Sequence, residues 1–181
     1  MLTANDVADF FLSSIDSEPD GENISNLKLQ KLLYYAQGTS LSILGRPLFA
    51  DPIINWQHGP VVSTVYHQYK SHGKSPLPAS YIEPDKYQDE EMAVLHFVRA
   101  EYGQYSAWKL RNMTHQESPW LSTDSGSEIT LDIMNLFFKD KIKWSFDYDL
   151  ARLKERVEGS FVQMPESVQS DDDFEAWIKA Q

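Results

Sequence analysis

The chain has 181 residues with Asp and Glu outnumbering Lys and Arg 27 to 16, a formal charge of −11, and no cysteine. That length suits one domain with an appendage, able to bury roughly 70% of the surface its unfolded form exposes without a disulfide or metal staple. The missing thiols exclude disulfides, thiolate metal sites and cysteine nucleophiles. The acidic balance makes nucleic acid a poor partner, because phosphates are repelled over most approaches. It either serves solubility or steers in a basic protein partner.

No apolar run reaches the roughly 20 residues of a membrane span. The opening residues, Met1 to Asp6, lack the basic stretch and apolar core of a signal peptide. The expectation is a cytoplasmic protein with no membrane association.

The first helix is predicted to start at Thr3, where Thr3 and Asp6 form a capping-box pattern and Leu2 can staple against Val7. Val7, Phe10, Phe11 and Ile15 make its apolar stripe, and Pro19-Asp20-Gly21 ends it with a turn. A second helix begins near Ser25 or Asn26, with Leu29, Leu32, Leu33, Ala36 and Ile43 at helical spacing. Leu27, Tyr34 and Tyr35 widen that face, so the helix reads as central, and Gly45 and Pro47 stop it. Lys28, Gln30, Lys31 and Gln37 form its polar face, either solvated or turned towards a partner.

Leu48 to Gln57 reads as extended, with room for a short strand. Gly59-Pro60 is expected to turn the chain, with Pro60 in the first turn of a third helix carrying Val62, Val65, Tyr66 and Tyr69. The free amides at such a helix start suit a carboxylate. A Pro-rich loop follows from Gly73 to Pro84. Met92, Val94, Leu95, Phe97 and Val98 imply another buried helix. Ser106 caps a short helix through Ala107, Leu110 and Met113, and Ser118-Pro119 looks like a second cap and first turn. Ser122 to Ser127 is a polar loop, and Ile129 to Phe138 returns to helical periodicity. The composition shifts after Lys143: residues 144–181 read as an acidic, helical extension to a domain of residues 1–143. Asp171-Asp172-Asp173 opens its last helix, where carboxylates complement the helix dipole.

Three stretches carry more than periodicity. They are Leu27-Lys28-Leu29-Gln30-Lys31-Leu32-Leu33-Tyr34-Tyr35-Ala36-Gln37, then Trp56-Gln57-His58-Gly59-Pro60-Val61-Val62 with Val65-Tyr66, then Tyr102-Gly103, Ser106-Ala107, Leu110 and Thr114-His115-Gln116-Glu117-Ser118-Pro119-Trp120. In this order and spacing they resemble the Panacea domain, also called the SocA-like antitoxin domain and found in GepA-like phage-associated proteins. The resemblance covers roughly residues 3 to 140. It implies a mainly α, multi-helix domain that binds toxins directly, whose members pair with toxins of unrelated fold. It also implies an adaptor alternative, since the namesake member delivers its toxin to the ClpXP protease. The family brings no catalytic residues and no cofactor, and none are carried over. Thr3 is expected to lead directly into the domain, without a helix-turn-helix or zinc module ahead of it.

The expected partners are therefore a cognate toxin and, in the adaptor reading, a ClpXP-type protease. The candidate protein-binding residues are Trp56, His58, Gly59, Pro60, His115, Glu117 and Trp120, which cluster in loop-like stretches at helix starts. Trp56 and His58 either form a recognition corner or serve as a core plug and a partner for a backbone carbonyl. Glu117 either meets a partner or accepts backbone amides. Tyr34, Tyr35, Tyr66, Tyr69 and Tyr102 suit a groove or a core equally well. An enzymatic alternative puts His115 and Glu117 together as base and orienter, or with His58 as metal ligands. Against it stands the absence of a Gly-rich phosphate loop and an HExxH pattern.

Overall fold

The computed structural model describes residues 1–13, 24–139 and 141. Ile15 of the first helix's expected stripe, the expected turn at Pro19-Asp20-Gly21 and the extension at 144–181 lie outside these residues. Helix α1 spans Ala4–Ser13 and α2 spans Asn26–Leu44. An antiparallel hairpin follows, β1 at Ile53–Trp56 and β2 at Gly59–Val62. Then come α3 (Ser63–Tyr69), α4 (Asp89–Tyr102), α5 (Ala107–Thr114) and α6 (Ser118–Leu121). The helix at residues 131–139 is α7. The fold is mainly α, as the resemblance implied. These residues belong to one unit, Met1–Phe146. No helix among them is long and apolar enough to cross a membrane.

The helix starts follow local chemistry. The Thr3 amide donates to Asp6 at 2.8 Å and the Asp6 amide donates back to Thr3 at 3.2 Å, the capping box expected of α1. Ser25 caps α2 by accepting from the Lys28 amide, and Gly45 ends it in the left-handed region at φ 66°. Ser106 caps α5 through the Lys109 amide.

Helix α2 is the axis of the fold, with α1, α3, α4, α5 and the hairpin packed on it. Every residue from Lys28 to Leu41 is buried. Tyr34 and Tyr35 are wholly buried, and the Tyr35 ring stacks on Tyr102 of α4 at 3.9 Å. Phe138 of α7 lies so close to Gly38 that a β-carbon there would sit 2.3 Å from its ring. Glycine at this position lets α7 approach the axis.

Burial corrects the reading of the polar face of α2. Gln30, Lys31 and Gln37 are at most 1% exposed, so neither water nor a partner meets them. Instead they bond the backbone of the segments wrapped around the helix. Gln37 Nε2 donates to the Phe49 carbonyl at 2.9 Å, while its Oε1 accepts from the Leu48 and Phe49 amides at 2.9 and 3.2 Å. Gln30 Oε1 accepts from the Val62 amide at 2.9 Å, and Lys31 Nζ donates to the Pro60 carbonyl at 2.9 Å. A buried polar group without a partner costs about 1–3 kcal/mol, so each side chain fixes where its segment lies.

The expectation of a helix start at Pro60 is also corrected. Gly59 and Pro60 belong to β2, and α3 begins at Ser63. Gln57 and His58 form the hairpin turn, closed by Gly59 at φ 96°. A proline can sit here because its missing N–H is not required by the pairing partner of this short strand. The far edge of β1 is covered by the polar loop before α7: the Asn55 amide donates to Ser127 at 2.8 Å and the Ile129 amide to Ile53 at 2.8 Å. The carboxylate-accepting helix start imagined at Pro60 does not exist.

Replacing Gln37 by Leu removes three bonds and strands the Leu48 and Phe49 amides and the Phe49 carbonyl. Urea unfolding of Gln37→Leu is expected to show a loss of about 3 kcal/mol relative to wild type. A loss under about 0.5 kcal/mol would mean these bonds do not hold the segment.

Candidate functional site

The hairpin turn, α5 and α6 meet at one edge of the molecule. His115 follows α5, and its ring nitrogens face two carbonyls: Nδ1 is 2.7 Å from Arg111 O and Nε2 is 3.0 Å from Gln57 O. The half-buried Trp120 ring lies over the His115 ring at 3.9 Å, and Trp120 Nε1 donates to the Trp56 carbonyl at 3.0 Å. Asn55 Nδ2 donates to the carbonyls of Trp120 and Thr123. Two segments some 60 residues apart in sequence are thereby tied at four points.

Glu117 lies behind this edge, 5% exposed. It accepts from Tyr34 Oη at 3.0 Å, Tyr35 Oη at 3.1 Å and Lys141 Nζ at 2.6 Å. Its donors are thus two tyrosines and a lysine, in place of the backbone amides that were one of its two sequence readings. Three donors, one of them charged, make a buried carboxylate tolerable. Burial, together with the Glu117 charge, pushes both tyrosine hydroxyls far above their ordinary value. They remain hydrogen donors at any working pH.

Lys31 sits beside the same hairpin. It has no exposed surface, and Gly59 comes so close that a β-carbon would lie 2.9 Å from its Cε and 2.7 Å from Thr114 Oγ1. Burial pushes the Lys31 ammonium down to about 7, with repulsion from Arg111 adding to the effect.

Of the candidate residues, the structure brings Trp56, His115 and Trp120 into one contacting group. His58 is exposed at the turn, with Trp108 edge-on at 6.4 Å. Gly59, Pro60 and Glu117 are buried and face inward. His58, His115 and Glu117 do not converge. Among the described residues no group of three or more His, Asp or Glu side chains is placed to hold a metal ion.

A groove of about 980 Å³ opens beside the hairpin, between the starts of α2 and α5 and the α3 side. Trp56, Tyr66 and Trp108 give it three aromatic walls, and Val61 and Leu27 add apolar surface. Trp56 and Tyr66 meet edge-to-face at 4.8 Å. Trp108 is 61% exposed yet held, with the Arg111 guanidinium 5.4 Å from its ring. Of the five tyrosines considered for a groove, only Tyr66 lines this one; Tyr34, Tyr35, Tyr69 and Tyr102 are core. The sequence reading missed Trp108. Its signal was its position: it falls out of step with the Ala107, Leu110, Met113 stripe, which puts a tryptophan on the outer face of a short helix.

A family model described as Antitoxin SocA-like, Panacea domain, matches residues 29–121, just over half of the chain. The chain belongs to the SocA-like antitoxin family. It is similar to Antitoxin SocA of Caulobacter vibrioides (strain NA1000 / CB15N), with 48% identity over 50 residues. That stretch is 28% of this chain and 27% of SocA, so the match spans well under a third of that relative. No solved structure matches. The Panacea match begins within α2 and closes with α6. It therefore takes in the buried Lys31 and Gln37, the hairpin, Trp108, Glu117 and Trp120.

The Lys31 environment gives a pH signature. Below about pH 7 the amine is protonated in both folded and unfolded chains, and the burial penalty is fully present. Between about 7 and its ordinary 10.5 the unfolded chain keeps a proton that the folded chain has lost, so stability rises with pH. Wild-type stability in urea is expected to climb from about pH 7 to about pH 9 by up to about 1.4 kcal/mol per unit from this group. In Lys31→Met the rise is expected to flatten. Parallel pH profiles for the two proteins would contradict the burial argument.

Proposed function

We propose that this chain is an antitoxin that neutralises a partner toxin by direct, non-covalent docking. Membership of the SocA-like antitoxin family supports an antitoxin role and implies a toxin partner in general. The observation that carries the direct-docking reading is the groove flanked by Trp56, Tyr66 and the held but exposed Trp108. Large, rigid aromatic side chains give much contact area for few torsions frozen, the usual composition of an interface hot spot.

The neighbouring ties favour the same reading. The hairpin turn is fixed by His115, Trp120 and Lys31 before any partner arrives, so docking orders little backbone. Among the proposed docking residues, Trp56 and His58 line the groove. His115 and Trp120 extend the edge beside it. Gly59, Pro60 and Glu117 act from beneath, by holding the turn and α6 in place. Neutralisation needs no bond-making: occlusion of the toxin's working surface suffices.

The test is co-expression with the product of an adjacent small gene. Growth arrest by that product is expected to be relieved by this chain, and the two proteins to co-purify. Trp108→Ala, which leaves the core untouched, is expected to weaken the complex by about 2 kcal/mol, roughly thirtyfold. Unrelieved arrest with no complex would reject the reading for that pair.

A further inference from the structure

The charge lining the groove runs against the charge of the molecule. Over the whole chain acidic residues exceed basic ones by 27 to 16, yet among the described residues no Asp or Glu lines the groove. It has Lys70, Lys74 and His58. Neither lysine is ion-paired with a carboxylate of the described residues. Both lysines are exposed and line the groove together with its aromatic residues.

The buried polar side chains of the groove, Asn26, Gln30 and Asn55, are already occupied. Asn26 Nδ2 donates to the Tyr66 carbonyl at 3.1 Å and its Oδ1 accepts from Gln30 Nε2 at 3.1 Å. Gln30 Oε1 and Asn55 Nδ2 are likewise taken. A small polar ligand would find few directional partners here. What the surface offers is aromatic and aliphatic contact bordered by unpaired positive charge.

We propose that this groove receives an acidic segment of the protein partner, with an aromatic or leucine-type anchor against Trp56, Tyr66 and Trp108 and flanking carboxylates at Lys70 and Lys74. This deepens, and rests on, the reading of the groove as a docking face for a protein. Nucleic acid shares the stacking and the negative charge, but its dense phosphates would meet the net charge of −11 with only two groove lysines to offset it. A short acidic segment brings few charges and seats them at the two lysines that attract them. Specificity follows from the contrast: a basic segment favoured by the overall field is disfavoured at these lysines.

Salt is a poor probe, because it screens the global repulsion and the local attraction together. Charge reversal is a clean one. Full-length wild type and the Lys70→Glu/Lys74→Glu variant would be titrated by fluorescence anisotropy with labelled peptides of equal length. All carry the same Trp and Leu anchors, flanked by Asp and Glu, by Asn and Gln, or by Lys; oligo-dT is the fourth probe. Wild type is expected to bind the acidic peptide about tenfold or more tighter than the lysine peptide, and the double variant to invert that order. Circular dichroism and thermal unfolding establish that the variant is folded. Equal affinities, preference for the lysine peptide, an unaltered order in the variant, or tighter binding of oligo-dT would each overturn the proposal.

The same variant enters the co-expression test. A toxin complex with wild type that is indifferent to reversal sinks the acidic-segment inference and leaves the antitoxin reading standing. Acidic-peptide selectivity without any toxin complex does the reverse.

Discussion

A buried helix must find partners for its polar side chains inside the protein, and three of those in α2 place the segments wrapped around it. Gln30, Lys31 and Gln37 reach the Val62 amide, the Pro60 carbonyl and the Leu48–Phe49 backbone. Apolar packing would hold these segments against the helix at many positions. The bonds select one, because any slip leaves an amide or a charge buried and unpaired. The hairpin's place, and with it the groove, follows from that constraint.

Glu117 supplies the second anchor. Tyr34 and Tyr35 leave the same helix and donate to its two oxygens, with Lys141 completing the set. This fixes the start of α6, and α6 carries Trp120 to its bond with Trp56 and its stack on His115. The chain of contacts thus runs from the axis of the fold to the surface. An edge built this way is held in place by its own contacts, which would lower the ordering cost of the proposed docking. Gly59, Pro60 and Glu117, candidates for partner contact in sequence, are buried.

Local signals in the sequence were easy to read. Ser25 and Gly45 bracket α2, the Thr3–Asp6 pair opens α1, and Ser106 opens α5. Each depends on neighbours a few residues away. Pro60 was misread because a proline after glycine starts helices and also ends turns; the pairing of Gly59 with Trp56 decides between them and is not local. The polar residues of α2 were misread for a related reason. Hydrophobic periodicity assigns polar positions to the outside, and it has no way to register that β2 and Phe49 cover that side. The groove was legible only in part: Trp56, His58 and Tyr66 were in view, but Lys70, Lys74 and Trp108 join them through folding alone. Family resemblance supplied what periodicity could not, namely that these scattered stretches belong to one domain.

In the proposed complex a partner protein docks against the hairpin turn and the groove beside it. Hydrogen–deuterium exchange of the chain, free and in complex with its toxin, tests this most directly. New protection is expected over residues 56–58, 66–74 and 106–108, with α1 and α4 unchanged. Protection confined to α1 and α4, with those three segments exchanging as in the free chain, would contradict it.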